Sequence, residues 1–118
     1  MVTFMLLYYR VEVKEYLARN GSSPFGKWFD GLNAEAAAKV TIAITRMTKG
    51  NLSNVHSVGQ GVHEYVIDFG PGYRIYLGRD GRELIILLGG GTKKRQSQDI
   101  AHAQVLWAEY RQRKKRGA

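Results

Sequence analysis

The sequence predicts an α+β fold: an antiparallel sheet of about four strands, an N-terminal helical hairpin and a closing C-terminal helix. Three observations carry this expectation. Two glycine-bearing turns, Gly70-Pro71-Gly72 and Asp80-Gly81, divide residues 61 to 88 into three strand-length runs rich in Val, Ile, Leu and Tyr. Apolar residues recur at helical spacing between Phe25 and Met47. The same spacing returns in Ile100, Ala103, Trp107 and Tyr110.

In chain order, Val2 to Tyr9 is apolar but too short to span a bilayer. It lacks preceding basic residues and a following small-residue cleavage site, so a buried strand is expected there and not a signal peptide. Residues 11 to 19 mix charges with Val13, Tyr16 and Leu17 and are expected to form a connector, broken by Asn20-Gly21-Ser22-Ser23. Ser23 then caps a short helix with Pro24 in its first turn, whose Phe25, Trp28, Phe29 and Leu32 face the core. Asn33 caps a second helix carrying Ala37, Val40, Ile44 and Met47, ended by Gly50-Asn51. Leu52 to Gln60 is expected to be a polar loop.

The two turns set an expected register for the strands that follow. Asp68 would face Arg74 in the first hairpin, and Leu77 would face Leu84 with Ile75 opposite Ile86 in the second. Period-two alternation then separates an apolar face (Tyr65, Ile67, Phe69, Tyr73, Ile75, Leu77, Leu84, Ile86, Leu88) from a half-polar one (Glu64, Val66, Asp68, Arg74, Tyr76). The helices are expected on the apolar side. Arg74 has two readings: cross-strand partner of Asp68, or a functional cation on an open face. Leu84 to Leu88 is apolar on both faces, which places it inside the sheet with something covering each side.

The chain of 118 residues is expected to form one domain, with a basic tail from about residue 111. It has no cysteine, which excludes disulfides, a thiolate nucleophile and a zinc–cysteine site, and suits a reducing cytoplasm. Its formal net charge of +8 favours polyanionic partners: RNA, DNA, ribosomes, anionic membranes and acidic proteins alike. The histidines, His56, His63 and His102, lack the short spacing of a metal site, so no metal and no cofactor are expected. Gly89-Gly90-Gly91 matches neither a dinucleotide fingerprint nor a P-loop and is expected to be a strand exit where other groups come close. Lys93, Lys94 and Arg95 then lead into a helix with Asp99 in its first turn. That helix ends in Arg111-Gln112-Arg113-Lys114-Lys115-Arg116, either a solvated end or a nucleic-acid arm.

Several of these residues form a composite pattern: Pro24-Phe25 with Trp28, Arg46 before Gly50-Asn51, Gly61-Val62 with Glu64, and Phe69-Gly70-Pro71-Gly72-Tyr73-Arg74-Ile75-Tyr76. Leu87-Leu88, Gly89-Gly90-Gly91, Lys93, Gln96, Asp99-Ile100 and Ala103 complete it. Over about residues 20 to 110 this pattern closely resembles the addiction-module killer proteins, toxins of type II toxin–antitoxin systems in the RelE/ParE superfamily, near its HigB-like branch. The resemblance implies a small RelE-like fold and a cytoplasmic toxin held inactive by a cognate antitoxin; most relatives of the RelE and HigB kind are mRNA interferases acting on the ribosome, whereas ParE relatives poison DNA gyrase, and the fold does not choose between them. The resemblance also implies operator DNA as a partner of the toxin–antitoxin complex, and no membrane.

Position by position, Arg74 matches the arginine of the family's Gly-Tyr-Arg element and Lys93 the lysine of its Gly-Gly-Asp-Lys element. Gln96 and Asp99 match the polar positions that follow, and Glu64 the acid of its Glu-Leu-Arg-Ile strand. Two positions depart: Val66 stands where the family has arginine, and Thr92 where it has aspartate.

Metal-independent RNA cleavage uses the 2′-OH against the adjacent phosphate and needs proton transfer plus stabilisation of charge on phosphorus. Arg74 and Lys93 suit the charge, Tyr76 offers a ring or hydroxyl, and Glu64 is the nearby candidate base, or His63 if the strand faces are reversed, since the expected register puts His63 on the apolar face. Lys94, Arg95, Gln96, Arg79 and Arg82 are the expected nucleic-acid contacts. No acid–base pair is recognisable from spacing, which a ribosome-dependent nuclease tolerates because the ribosome orients the RNA. Three readings follow: mRNA endonuclease, non-enzymatic inhibitor such as a gyrase poison, and decayed toxin retaining only antitoxin binding.

Overall fold

The computed structural model describes residues 10–117; the strand expected over residues 2–9 lies outside them. The described elements are β1 (Glu12–Glu15), α1 (Pro24–Asp30), α2 (Ala34–Thr48), β2 (Val55–Gly59), β3 (Val62–Ile67), β4 (Tyr73–Arg79) and β5 (Leu84–Thr92). A 3₁₀ turn (Lys93–Arg95) then leads into α3 (Gln96–Lys115). The strands form one mixed sheet in the order β1-β5-β4-β3-β2. β1 runs parallel to β5, and the other neighbours are antiparallel.

The α+β class holds, but the sheet described has five strands and is not purely antiparallel. Two strands fall in segments expected to be irregular. β1 displays Glu12, Lys14 and Glu15 to solvent, so no apolar alternation marks it. It is held by parallel pairing with Leu84 to Leu87, which no local pattern encodes. β2 is an edge strand with a bulge between Ser57 and Gly59, which breaks the period of two that would have revealed it.

The helix signals are accurate. Ser23 Oγ accepts from the Gly26 N–H at 2.8 Å and Asn33 Oδ1 from the Ala36 N–H at 2.8 Å, so both N-caps act as read. The connection between them keeps α1 and α2 as a hairpin on one face of the sheet. There Val40, Ala43 and Met47 of α2 and Phe25 of α1 bury against Tyr65, Ile75, Leu77, Ile85 and Leu87.

α3 covers the opposite face, which corrects the expectation that all helices sit on one side. Its Ala103, Leu106 and Trp107 pack with Val62, Tyr76, Ile86 and Leu88. The expected half-polar face is therefore roofed, not open. β5, apolar on both faces as expected, supplies Ile85 and Leu87 to one cluster and Ile86 and Leu88 to the other.

Two register corrections follow from the turns. Arg74 pairs with Val66, not Asp68, because residues 68–72 form a longer loop than the minimal turn. In the second hairpin Asp80 N–H bonds to the Leu84 carbonyl at 2.8 Å, leaving residues 81–83 as the loop, and a bulge lies between Tyr76 and Leu77. Leu77 consequently faces Leu87, and Ile86 and Leu88 move to the face opposite the one expected.

The triple glycine lies within β5 instead of after it. Trp28 of α1 presses on Gly90 from one side and the Asp99 carboxylate of α3 on Gly91 from the other, so neither position has room for a Cβ. Both helices reach the end of β5 through these two glycines.

Candidate functional site

The site grows from the turn between β3 and β4. Gly70 and Gly72 adopt φ of 55° and 78°, the freedom that the Gly-Pro-Gly sequence promised. The carbonyl of Gly72 accepts two hydrogen bonds: from the Lys93 backbone N–H at 2.9 Å and from Arg74 Nη1 at 3.1 Å. A Cβ on Gly72 would stand 3.2 Å from Arg74 Nη1 and 3.5 Å from Lys93 Cβ, which places both residues beside one turn. Lys93, Lys94 and Arg95 are exposed and continue that edge into α3. The result is a cationic rim joining the turn, the end of β5 and the start of α3.

Behind the rim lies a buried polar cluster. Glu64, 7% exposed, sits on β3 opposite Tyr76. Both of its carboxylate oxygens accept from Gln96 Nε2, at 2.9 and 3.1 Å, and its Oε2 is 3.7 Å from Arg74 Nε. Arg74 Nε, Tyr76 Oη and Asp99 Oδ2 are buried without a hydrogen-bond partner. Such groups are costly and uncommon in a folded protein.

The electrostatics follow from that burial. The Tyr76 hydroxyl is pushed up to about 12, first by burial and then by the Glu64 and Asp99 carboxylates, against the opposing Arg74 charge. The Asp99 carboxyl is also raised by burial, with Arg95 and His102 pulling the other way. Tyr76 is 1% exposed, so it cannot stack on a base; the sequence placed it on the correct face without revealing that α3 covers that face.

Sequence reasoning grouped nine site residues, and the structure divides them. Arg74, Lys93, Lys94, Arg95, Gln96, Glu64 and Tyr76 gather at one end of the sheet. Arg79 lies at the far end of β4, and Arg82 beyond it in the hairpin loop. Arg79 instead lines a groove of about 740 Å³ with His63, Trp107, Tyr110, Arg111 and Lys115. Burial, then the Arg79 charge, lowers the His63 pKa there. Trp107 and Tyr110 stack along this groove with centroids 5.1 Å apart and planes 7° off parallel.

The basic tail expected from about residue 111 is helical through Lys115. Arg113 Nη2 donates to the Leu17 carbonyl at 2.8 Å and its guanidinium lies 4.8 Å from the Tyr16 ring centroid, while Lys114 and the Tyr110 hydroxyl both hold Asp80 Oδ2. The Lys114 and Tyr110 hydrogen bonds lower the Asp80 pKa. What sequence reasoning missed is the Gly72 carbonyl as the point that gathers the rim; no residue-type signal marks a backbone acceptor.

Among the described residues no group of three His, Cys, Asp or Glu side chains could hold a metal ion. No described helix is long and apolar enough to cross a membrane.

Fold and site together define an α+β protein with a cationic rim above a buried carboxylate–arginine cluster. No family model matches the chain, and no solved structure does. The chain is 42% identical over 86 residues to an uncharacterized protein of Haemophilus influenzae (strain ATCC 51907 / DSM 11121 / KW20 / Rd), covering 72% of this chain and 87% of that protein. It belongs to the same family as that protein.

Proposed function

We propose that this chain is the toxin of a type II toxin–antitoxin pair in the RelE/ParE superfamily, near its HigB-like branch. It cuts mRNA on the ribosome in the cytoplasm without a metal and is neutralised by a cognate antitoxin. The observation that carries this reading is the meeting of the Arg74 guanidinium and the Lys93 backbone N–H at the Gly72 carbonyl, which holds the two residues beside one turn. The Arg74 side chain, 11% exposed, and the exposed Lys93 thereby lie beside one turn, with Lys94 and Arg95 extending it.

The chemistry follows from charge. When an RNA 2′-OH attacks the neighbouring phosphate, negative charge grows on the non-bridging oxygens, and positioned cations stabilise it more than the ground state. The 2′-hydroxyl gives up its proton to solvent as its oxygen bonds to phosphorus, the bond to the 5′-oxygen breaks, that oxygen takes up a proton from solvent, and the upstream fragment keeps a 2′,3′-cyclic phosphate. Arg74 offers a planar donor fork and Lys93 a mobile point charge. Alignment of the attacking oxygen falls to the ribosome-bound RNA, which accounts for a rim with few proton-transfer groups.

One observation favours a second reading, a non-enzymatic inhibitor such as a gyrase poison. Glu64 and Tyr76 are buried, and Val66 stands opposite Arg74, so the rim presents cations without an exposed acid–base partner from the sheet.

Expression from a tightly repressed promoter, with transcript 5′ ends mapped during growth, separates these readings. The nuclease reading expects growth arrest with new codon-positioned ends, both lost in Lys93→Ala while the fold is kept. Arrest with whole transcripts and blocked supercoiling would replace it with the gyrase reading, and harmless expression would identify a decayed toxin.

A further inference from the structure

The buried carboxylate, the cationic turn and the arginine form a closed circuit of contacts. Glu64 takes both hydrogen bonds from the Gln96 amide and faces Arg74 Nε at 3.7 Å. Gln96 is the first residue of α3, immediately after the Lys93–Arg95 turn. Lys93 bonds through its N–H to the Gly72 carbonyl, which also receives Arg74 Nη1, and Arg74 closes the circuit back to Glu64.

We propose that Glu64 is a positioning residue: with Gln96 it clamps the Arg74 guanidinium and the first turn of α3, setting the geometry of the rim without exchanging protons with RNA. Three features separate this role from that of a general base. Glu64 is 7% exposed, so an attacking 2′-OH has no open approach to it. Both carboxylate oxygens are engaged by one amide, which fixes the plane of the carboxylate. Its contact with Arg74 is a charge contact longer than a hydrogen bond, and Arg74 Nε has no other partner.

The same cluster makes little sense as a stability device. A buried ion pair with incomplete hydrogen bonding returns little net stability against its desolvation cost. What it does supply is a fixed direction for a side chain with many rotamers, and a fixed attachment for the turn that carries Lys93. The role in cleavage rests on the endonuclease reading, whereas the clamp itself does not.

The test uses the full chain and the variants Glu64→Gln, which keeps the shape and loses the charge, and Gln96→Ala. The Arg74 Nε–Hε resonance, assigned by its disappearance in Arg74→Lys, reports the clamp independently of activity. The proposal expects that resonance to shift or broaden in both variants while the backbone spectrum of the sheet is retained. It further expects kcat for ribosome-dependent cleavage to fall roughly 10- to 100-fold, the effect of a misplaced reacting group, with the shape of the pH profile kept. The double variant is expected to be no worse than the more affected single, because both break one circuit.

An unmoved Arg74 resonance in both variants overturns the clamp. A Glu64→Gln enzyme that loses the acidic limb of its pH profile overturns the positioning role and makes Glu64 the base. If the wild-type chain cuts no RNA, the endonuclease reading fails and the resonance alone decides the clamp. Should Glu64→Gln not fold, Gln96→Ala carries the same measurement from the other side of the contact.

Discussion

The two faces of the sheet are built from different chemistry. Against α1 and α2, the buried positions on β3, β4 and β5 are Tyr65, Ile75, Leu77, Ile85 and Leu87. Between the sheet and α3, the apolar Val62, Ile86, Leu88 and Trp107 share their layer with Glu64, Arg74, Tyr76 and Asp99. The first face gains stability from nearly everything it buries. The second retains orphaned polar atoms next to the cationic rim, so part of its burial costs free energy. The contrast indicates that α1 and α2 hold the fold together while α3 shapes the site.

The largest effect expected from this contrast is on the apolar face. Leu77→Ala, at a position with no exposure, is expected to lower unfolding free energy by about 2–5 kcal/mol in urea titration. A loss below about 1 kcal/mol at so tightly packed a site would deny that face its leading role.

Gly91→Ala comes next, because its methyl group meets the Asp99 carboxylate. An overpacking cost of about 1–3 kcal/mol is expected, shrinking in an Asp99→Ala background where the obstruction is gone. Equal costs in the two backgrounds would show that Asp99 does not press on Gly91.

Tyr76→Phe should change stability by less than about 1 kcal/mol, and towards greater stability, since the lost hydroxyl has no partner. A clear loss on thermal melting would mean that the hydroxyl is paired.

The smallest effect concerns pH. Burial raises the Asp99 pKa in the folded chain above its ordinary 3.8, so the folded state binds this proton more tightly than the unfolded state. Asp99 therefore costs nothing below about pH 3.8 and increasingly destabilises the fold as pH rises through its raised pKa. Asp99→Asn is expected to raise Tm modestly at pH 7, with the gain vanishing below the unfolded pKa. A gain that persists at low pH would assign the effect to packing.

How far the sequence discloses all this depends on the distance over which each feature is decided. The caps at Ser23 and Asn33 and the left-handed glycines of the Gly-Pro-Gly turn are decided within four residues and are where local chemistry puts them, but the loop around that turn is longer than the minimal turn and pairs Arg74 with Val66 instead of Asp68. β1 was hidden because its charged side chains face solvent and its pairing partner is β5, far along the chain. The β4–β5 register failed on a single bulge at Tyr76 and Leu77 and a loop longer than the Asp80-Gly81 pair implies. At the site, alternation correctly set Glu64, Val66, Arg74 and Tyr76 on one face. It could not show that α3 roofs them, since the apolar stripe of a helix does not say which face it covers. The contact between Glu64 and Gln96 exists only once that roof is in place.

The most direct test of the proposed activity is a purified translation reaction carrying a defined mRNA, read by primer extension with and without ribosomes. Codon-positioned cleavage that requires ribosomes, leaves a 2′,3′-cyclic phosphate on the upstream fragment and disappears with Lys93→Ala is the predicted result. Intact mRNA in the complete reaction, from a chain that still arrests growth in cells, would contradict it.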